Sequence, residues 1–420
     1  RMEETEIRTH LSKSVVKDEV GIYIHFPFCK SLCPACPYVR EIATEKRIND
    51  YLSALRAEIE MVGKMLKDTP LKVVDIHVGG GTPSLLGREW KKILDVVEEN
   101  FDVSPGYRFG VEANPDDLTE DRTFSLRESA NEISVGVQSF YKQNLKMLGR
   151  RHDVESSLEA LENCRRAGFE LVNIDMMYLL PKQKISGWVS DLKLATEQGA
   201  DQITCYPLLA PSYTSIHDLM IEGKIPQQPD IGEFKRMYYA AVDTLKTEGY
   251  VPIRYYSFSK KGREYSTVER EMVGPLLGFG SGAMGNTGSF EYVNTCSVKE
   301  YIRAIRSGKV PIAGGREVSK EERAVRWVAE RLSALKLKID DFEKEFDEPF
   351  DALMKRSGYS TALRMGLLFK NLRKKNGGIE VTEKGMWQRN LSGWAFVLSV
   401  PCRIVEEFTN TPWPLEVEIP

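Results

Sequence analysis

The sequence predicts an α/β fold: a partial (βα)6 TIM-like barrel followed by a small C-terminal helical domain of winged-helix-like character. Three observations predict it. From residue 20 to about 258, short β-rich segments alternate with longer segments of helical period. About six such units follow one another without a dinucleotide fingerprint, which favours parallel strands around a barrel over a doubly wound sheet. Beyond residue 320 the alternation stops and helical period takes over.

The candidate strands are Gly21–His25, Val73–Val78, Arg108–Glu112, Glu132–Val137, Leu171–Met176 and Gln202–Leu208. Between them lie the amphipathic stretches Asp50–Leu66, Trp90–Asn100, Val154–Ala167, Ser186–Gln198 and Ile231–Gly249, with Gly or Pro at most junctions, as helix ends and turns require. Past the barrel come helices over Glu321–Leu335, Ile339–Phe346 and Ala362–Lys370, then a hairpin around Gly377-Gly378-Ile379-Glu380-Val381-Thr382. The expected organisation is an N-terminal segment over 1–19, the barrel over 20–258 and a substrate-side extension over 259–317. A small domain follows over 318–402, then an extended tail over 403–420, where Pro412, Pro414 and Pro420 fall.

A chain of 420 residues with 42% apolar and 28% charged residues suits a soluble globular protein, and no run of about 18 apolar residues offers a membrane span. The charged N-terminal stretch lacks the apolar core of a secretory signal, so a cytoplasmic location is expected. A formal net charge of −3 gives no broad positive field, which excludes nucleic acid as an expected partner. The short basic runs Lys260–Arg263 and Arg373–Lys375 read as solvated loop charge, and the winged-helix-like module as a structural element or substrate lid. Of the seven cysteines, three fall within eight residues. An odd total without an export signal argues for reduced thiols in metal or catalytic use.

Those three, Cys29, Cys33 and Cys36, follow the first strand with the spacing C-x3-C-x2-C. Three thiolates on four irons leave one iron of a 4Fe-4S cluster open to an outside ligand. The alternative is a Cys3His zinc site completed by His25 or a distant ligand. The barrel rule places chemistry where strands end. Gly79 to Ser84 follow the second strand, Glu112 ends the third, Gln138 follows the fourth and Asp175 lies near the end of the fifth. All converge on one mouth. Gly79, Gly80 and Gly81 let backbone approach a ligand that any Cβ would exclude. Glu112 suits a cationic partner and Arg150 a carboxylate.

The blocks YIHFPFCKSLCPAC, VGGGTPSLL, VEANPDDL, SVGVQSF, LGRRH and NIDMMYLLPKQ stand in the order found in the radical S-adenosylmethionine superfamily. The sequence resembles, within it, the HemN-like branch of oxygen-independent coproporphyrinogen oxidases and their relatives, over about residues 20 to 315. The resemblance implies a 4Fe-4S cluster on Cys29, Cys33 and Cys36 that cleaves S-adenosylmethionine reductively to a 5′-deoxyadenosyl radical. It implies a low-potential electron donor such as flavodoxin or ferredoxin. It places Gly80, Gly81, Thr82, Glu112, Gln138, Arg150, Asp175 and Leu209 around the S-adenosylmethionine, with Asp175 on the ribose hydroxyls. Tyr23 matches a tyrosine beside the cluster and sulfonium and is the one catalytic side chain expected. His25 sits close behind it; read from the residues alone, it is a core histidine.

Three departures bear on the substrate. Coproporphyrinogen oxidases carry a further cysteine where this chain has Tyr38, an aromatic residue where it has Ala35, and a glycine where it has Leu179. Haem chaperones carry an His-Asn-x-x-Tyr-Trp segment where this chain has Arg263-Glu264-Tyr265-Ser266-Thr267. The expected function is therefore radical chemistry on a flat conjugated small molecule, as in class C methyltransferases, where a second S-adenosylmethionine donates a methyl group. Decarboxylation or other tetrapyrrole chemistry, including haem opening, and non-catalytic haem binding are the alternatives. Tyr255–Phe258, Gly278–Met284 and Tyr292–Cys296 are the expected substrate side. Gly278, Gly280 and Gly282 either admit a second cofactor or form a buried turn. Cys164, Cys205, Cys296 and Cys402 read as small apolar thiols.

Overall fold

The computed structural model describes residues 4–13, 19–260, 264–265 and 274–414. Six parallel strands run in chain order through one sheet: β1 (Glu19–Phe26), β2 (Lys72–Gly80), β3 (Asp102–Ala113), β4 (Glu132–Gln138), β5 (Leu171–Tyr178) and β6 (Gln202–Pro207). This is the order of a partial barrel, and each predicted strand lies within or across an observed one. The sheet continues past β1 through Leu276–Phe279, Met284–Asn286, Phe290–Asn294 and Ile312–Glu317. Past β6 it continues through Ser257–Ser259 and Val251–Pro252, giving twelve strands among the described residues. Its two edges do not pair with each other there, so the sheet is open.

The crossover helices form where amphipathic period and caps coincide. Helix Glu45–Leu66 starts at Thr44, whose side chain accepts from Arg47 N, and buries Tyr51, Leu55, Ile59, Val62 and Leu66 along one face. That spacing is the stripe a helix lays on a sheet. Helix Val154–Ala167 starts at Asp153, which accepts from Ser156 N at 2.8 Å, and stops at Gly168, whose φ of 75° few other residues adopt. Strands β1, β2, β4, β5 and β6 are buried over most of their length, and β3 is buried at its carboxyl end, as a sheet covered on both faces requires.

The C-terminal region holds a three-stranded antiparallel sheet (Lys336–Lys338, Gly378–Val381, Leu372–Lys375) among helices, including Lys320–Ser333, Ile339–Phe346, Phe350–Arg356 and Ser360–Leu368. Helices predominate here, as expected of the C-terminal region. Two helices close the described chain, Glu383–Ser399 and Pro401–Asn410. The second corrects the expected tail: position 403 lies inside it, because Pro401 occupies the first helical turn, where a missing N–H costs nothing. Pro420 lies outside the described residues, as do residues 261–263 of the Lys260–Arg263 run. No helix among the described residues is long and apolar enough to cross a membrane.

Candidate active site

Loops at the carboxyl ends of the six strands meet over the cysteine loop. Gly81 N donates to Phe26 O at 2.7 Å and Thr82 N to Phe28 O at 2.9 Å, which seats the glycine loop on the cysteine loop. A Cβ on Gly80 would stand 2.5 Å from the His25 ring, and one on Gly81 2.7 Å from the Pro27 carbonyl carbon. A Cβ on Gly79 would stand 2.9 Å from a Glu112 carboxylate oxygen. The close approach that these glycines permit is thus to the chain itself, not to empty space left for a ligand. The reading as ligand-approach positions is corrected to that extent, although Gly80 and Gly81 still border the mouth.

All seven cysteines are free; Cys29, Cys33 and Cys36 are partly exposed and the other four buried. Burial pushes the Cys29 thiol up to about 11, opposed by a hydrogen bond from Thr82 and reinforced by the other two thiols beside it. Burial also raises Cys36, against the pull of the Arg40 guanidinium. Arg150 Nη1 lies 3.8 Å from Cys33 Sγ, and Arg40 Nη2 donates to Cys33 O at 3.3 Å. Arg40 Nε is buried with no hydrogen-bond partner among the described residues. Three neighbouring thiols, two guanidinium groups and an unpaired donor suit a polyanionic cluster whose sulfurs accept hydrogen bonds. His25 does not complete a zinc set. Its Nε2 donates to Val39 O at 2.9 Å and its Nδ1 accepts from Tyr23 Oη at 3.0 Å, so both nitrogens are engaged. Burial lowers its pKa accordingly, and the core-histidine reading holds.

A second network runs from the glycine loop to the cysteine loop. Asn114 Nδ2 donates to Thr82 Oγ1 at 2.9 Å, and Arg150 Nη2 donates to Asn114 Oδ1 at 2.5 Å and Gly136 O at 2.8 Å. Asn114 thereby fixes the fork of Arg150, a role its place in VEANPDDL did not reveal. Gly149, just before Arg150, has a φ of 69°, and a Cβ there would stand 2.5 Å from Pro34 Cδ. Glu112 accepts from Gly80 N at 3.1 Å, and its side chain is 42% exposed although it stands on a central strand. Interior space opens beside it. Asp175 accepts from Ser134 Oγ at 3.0 Å and Asn173 Nδ2 at 2.8 Å. Burial, then the Glu112 charge, pushes it up to about 7 against those two hydrogen bonds. Gln138 ends β4 in the left-handed region with a φ of 70°, and Leu179 follows β5 with a φ of 62°. Backbone strain of this kind collects at functional sites. Tyr23 stacks on His77 at 5.9 Å, and His77 Nε2 lies 3.4 Å from Glu112 Oε1. Leu209, just past β6, is half-buried against the main core.

The expected substrate side divides. Tyr255 and Tyr256 are buried, meeting each other at 4.8 Å, and Tyr256 stacks on Tyr206, from the end of β6, at 6.0 Å. Gly278, Gly280 and Gly282 do not leave a seat for a second cofactor: Cβ atoms there would stand 2.3 Å from Met284 O, 2.5 Å from His25 O and 2.7 Å from Val39 Cγ2. They form the buried turn. Tyr292 donates toward Gly278 O and accepts from Gly278 N, and it packs with Ile7 and Leu11 in a cluster under the N-terminal helix Glu4–Lys13. Cys296 packs with Val39, Val293 and Phe408 and does not face the mouth. Of the segment compared with haem chaperones, only Glu264 and Tyr265 are described; Arg263, Ser266 and Thr267 lie outside the described residues.

A three-thiol loop at the carboxyl ends of parallel strands, faced by arginine and carboxylate groups, defines a cluster-dependent enzyme class that binds a zwitterionic cofactor. The model of the radical SAM superfamily matches residues 23–195. The haem chaperone HemW of Bacillus subtilis is 31% identical over 309 residues, covering 71% of this chain and 79% of that protein. The oxygen-independent coproporphyrinogen III oxidase of Synechocystis is 25% identical over 395 residues, covering 88% and 83%. In the solved structures, the coproporphyrinogen III oxidase HemN of Escherichia coli superposes with a TM-score of 0.78 at 23% identity, covering 97% of this chain and 94% of that one. The chain belongs to the radical SAM superfamily, in its HemN-like branch, whose cofactors are a 4Fe-4S cluster and S-adenosylmethionine.

Proposed function

We propose that the chain cleaves S-adenosylmethionine and directs the radical to a flat conjugated small molecule, with methylation of an sp2 carbon as the outcome. The observation that carries the first part is the network joining Thr82, Asn114 and Arg150 to Cys33, which sets a carboxylate-binding fork beside the cluster loop. Cys29, Cys33 and Cys36 hold the cluster, which when bound supplies the electron for cleavage. Arg150 holds the methionine carboxylate and Glu112 its ammonium group. Asp175 accepts from the ribose hydroxyls, Gln138 and Leu209 line the cofactor, and Tyr23, oriented by His25, stands beside the reacting bond.

Anaerobic reconstitution with iron and sulfide, then reduction with S-adenosylmethionine, tests this reading. Release of 5′-deoxyadenosine is expected, and a fully loaded protein that releases none refutes it. S-adenosylhomocysteine beside 5′-deoxyadenosine supports methyl transfer; carbon dioxide loss from a tetrapyrrole supports decarboxylation instead. The similarity to a haem chaperone favours one second reading, haem carriage, which predicts stoichiometric haem binding that survives loss of the cluster.

Asp175 gives this site a pH dependence. Its carboxyl, at about 7, must be ionised to accept both ribose hydroxyls, so binding releases a proton and tightens as pH rises. S-adenosylmethionine is expected to bind the loaded protein roughly tenfold more tightly at about pH 8 than at about pH 6 in equilibrium dialysis. Asp175→Asn is expected to bind more weakly and to flatten that profile. An unchanged slope in the variant assigns the titration elsewhere.

A further inference from the structure

His77 lies in β2 and is buried, on the face of the strand that also carries Gly79. Its register partners are Tyr23 on β1 and Gly110 on β3, so the three residues share one layer across the sheet. Ile76 and Val78, on either side of it in sequence, point to the opposite face and belong to the main apolar cluster. Branched apolar side chains are what the inside of a barrel ordinarily holds at such a place, and a buried imidazole there needs polar partners.

Two rings set the plane of that imidazole. Tyr23 stacks on it at 5.9 Å and 17°, and Tyr265 meets it edge-on at 5.4 Å and 86°. Tyr265 comes in from the amino ends of the strands, where its N–H donates to Gln202 Oε1 at 2.8 Å as β6 begins. The residue before it, Glu264, pairs with the buried Arg254 at 2.9 Å, and its carbonyl accepts from Arg108, itself paired with Glu132 at the start of β4. Tyr265 is thus a fixed floor under His77. Held between these rings, the imidazole turns Nε2 toward the mouth, where it donates to Glu112 Oε1 at 3.4 Å. Glu112 Oε2 accepts from Gly80 N at 3.1 Å. One chain donor on each oxygen leaves the other lone pairs of the carboxylate to the open side of the site. Gly79 keeps the meeting point clear, since a Cβ there would stand 2.9 Å from Glu112 Oε1 and 3.0 Å from His77 Nε2.

We propose that His77 is a positioning residue: its Nε2–H aims the Glu112 carboxylate at the ammonium group of the methionine moiety. At 2% exposure the imidazole is itself out of the cofactor's reach, so it acts through Glu112. A glutamate free to rotate loses side-chain entropy when it meets its ligand, whereas one already held by His77 and Gly80 N has lost it beforehand. The role belongs to the N–H and not to the ring as filler, because Tyr23 and Tyr265 pack against any flat ring of that size. The proposal rests on the reading of the site given above.

The test compares two nucleosides by anaerobic equilibrium dialysis on the loaded protein: S-adenosylhomocysteine, which carries the amino-acid end, and 5′-methylthioadenosine, which lacks it. His77→Phe keeps a ring between Tyr23 and Tyr265 and removes the N–H. It is expected to weaken S-adenosylhomocysteine about tenfold, the scale of one charge-assisted hydrogen bond, and 5′-methylthioadenosine by less than about twofold. His77→Gln, whose amide nitrogen reaches the Nε2 position, is expected to bring S-adenosylhomocysteine back to within about threefold of wild type. Iron content and circular dichroism show which variants are folded and loaded. Gly79→Ala drives a methyl group between the same two side chains and is expected to give the same selective loss, so it carries the test if His77→Phe does not fold. A folded, loaded His77→Phe that binds S-adenosylhomocysteine as tightly as wild type, or that weakens both nucleosides alike, overturns the proposal, as does a His77→Gln no better than His77→Phe. A wild type that binds neither nucleoside is the separate failure of the underlying reading.

Discussion

Replacing Cys33 by Ala is expected to abolish the iron–sulfur absorbance of the reconstituted protein and reduce 5′-deoxyadenosine release to that of the unloaded chain. Three thiolates are the whole protein ligand set proposed for the cluster, and two leave a second iron without a protein ligand. No other cysteine is placed to help. Cys164, Cys205, Cys296 and Cys402 are buried, and Cys402, the one whose helix packs on the loop, shares a hydrogen bond with Tyr213, whose hydroxyl donates to Pro37 O at 2.8 Å. Removing Cys33 also takes away the anion that Arg150 faces at 3.8 Å. The fold itself loses little, since the side chain is partly exposed, and circular dichroism is expected to match the wild type. Iron content equal to wild type, with continued cleavage, would falsify the assignment of Cys33 as a ligand.

The barrel was legible because its rules are local. Val and Ile runs of strand length, punctuated by Gly, Asp153 or Thr44, fix each strand and crossover from residues close in sequence, and the strands then appear in chain order. Residues at strand ends were legible for the same reason: once β3 and β5 are placed, Glu112 and Asp175 must point to one mouth. What escaped depends on elements distant in sequence. That glycines 79 to 81 free the backbone follows from their chemistry, but only the folded chain shows that His25, Pro27 and Glu112 occupy the freed space. Trp394 reaches Tyr206 across 188 residues of sequence, through a helix whose Trp, Phe and Leu side chains show no clear stripe. Pro401 signals a helix start as readily as a tail, and only its neighbours decide.

Glu58→Ala is expected to destabilise the protein by about 3–5 kcal/mol, read as a fall in Tm of roughly 3–6 °C for a chain of this length. Glu58 is a buried carboxylate on helix Glu45–Leu66, and it gathers three donors: Gly280 N at 2.8 Å, Tyr301 Oη at 2.6 Å and Asn294 Nδ2 at 2.8 Å. Without it those donors lose their acceptor inside the core, each at a cost of about 1–3 kcal/mol unless water enters. The consequence reaches the site, because the same turn is pinned to β1. Tyr51 Oη donates to His25 O at 2.7 Å and accepts from Ser281 N at 2.9 Å, so a loosened Gly280 turn frees the histidine that orients Tyr23. Burial raises Glu58 to about 7 despite its three hydrogen bonds, above its ordinary value of 4.5. The folded state therefore holds a proton that the unfolded chain releases. The stability this contributes is complete below about pH 4.5 and fades as pH rises through about 7. Wild-type Tm measured across that window should fall with pH more steeply than that of Glu58→Ala, which lacks the group. Glu58→Gln, which keeps the shape but turns an amide toward one of the donors, should lie between them in Tm while sharing the flatter pH profile of Glu58→Ala. Parallel pH profiles in wild type and Glu58→Ala would assign the proton elsewhere, and an unchanged Tm would show that the turn is held by Tyr51 and the backbone alone.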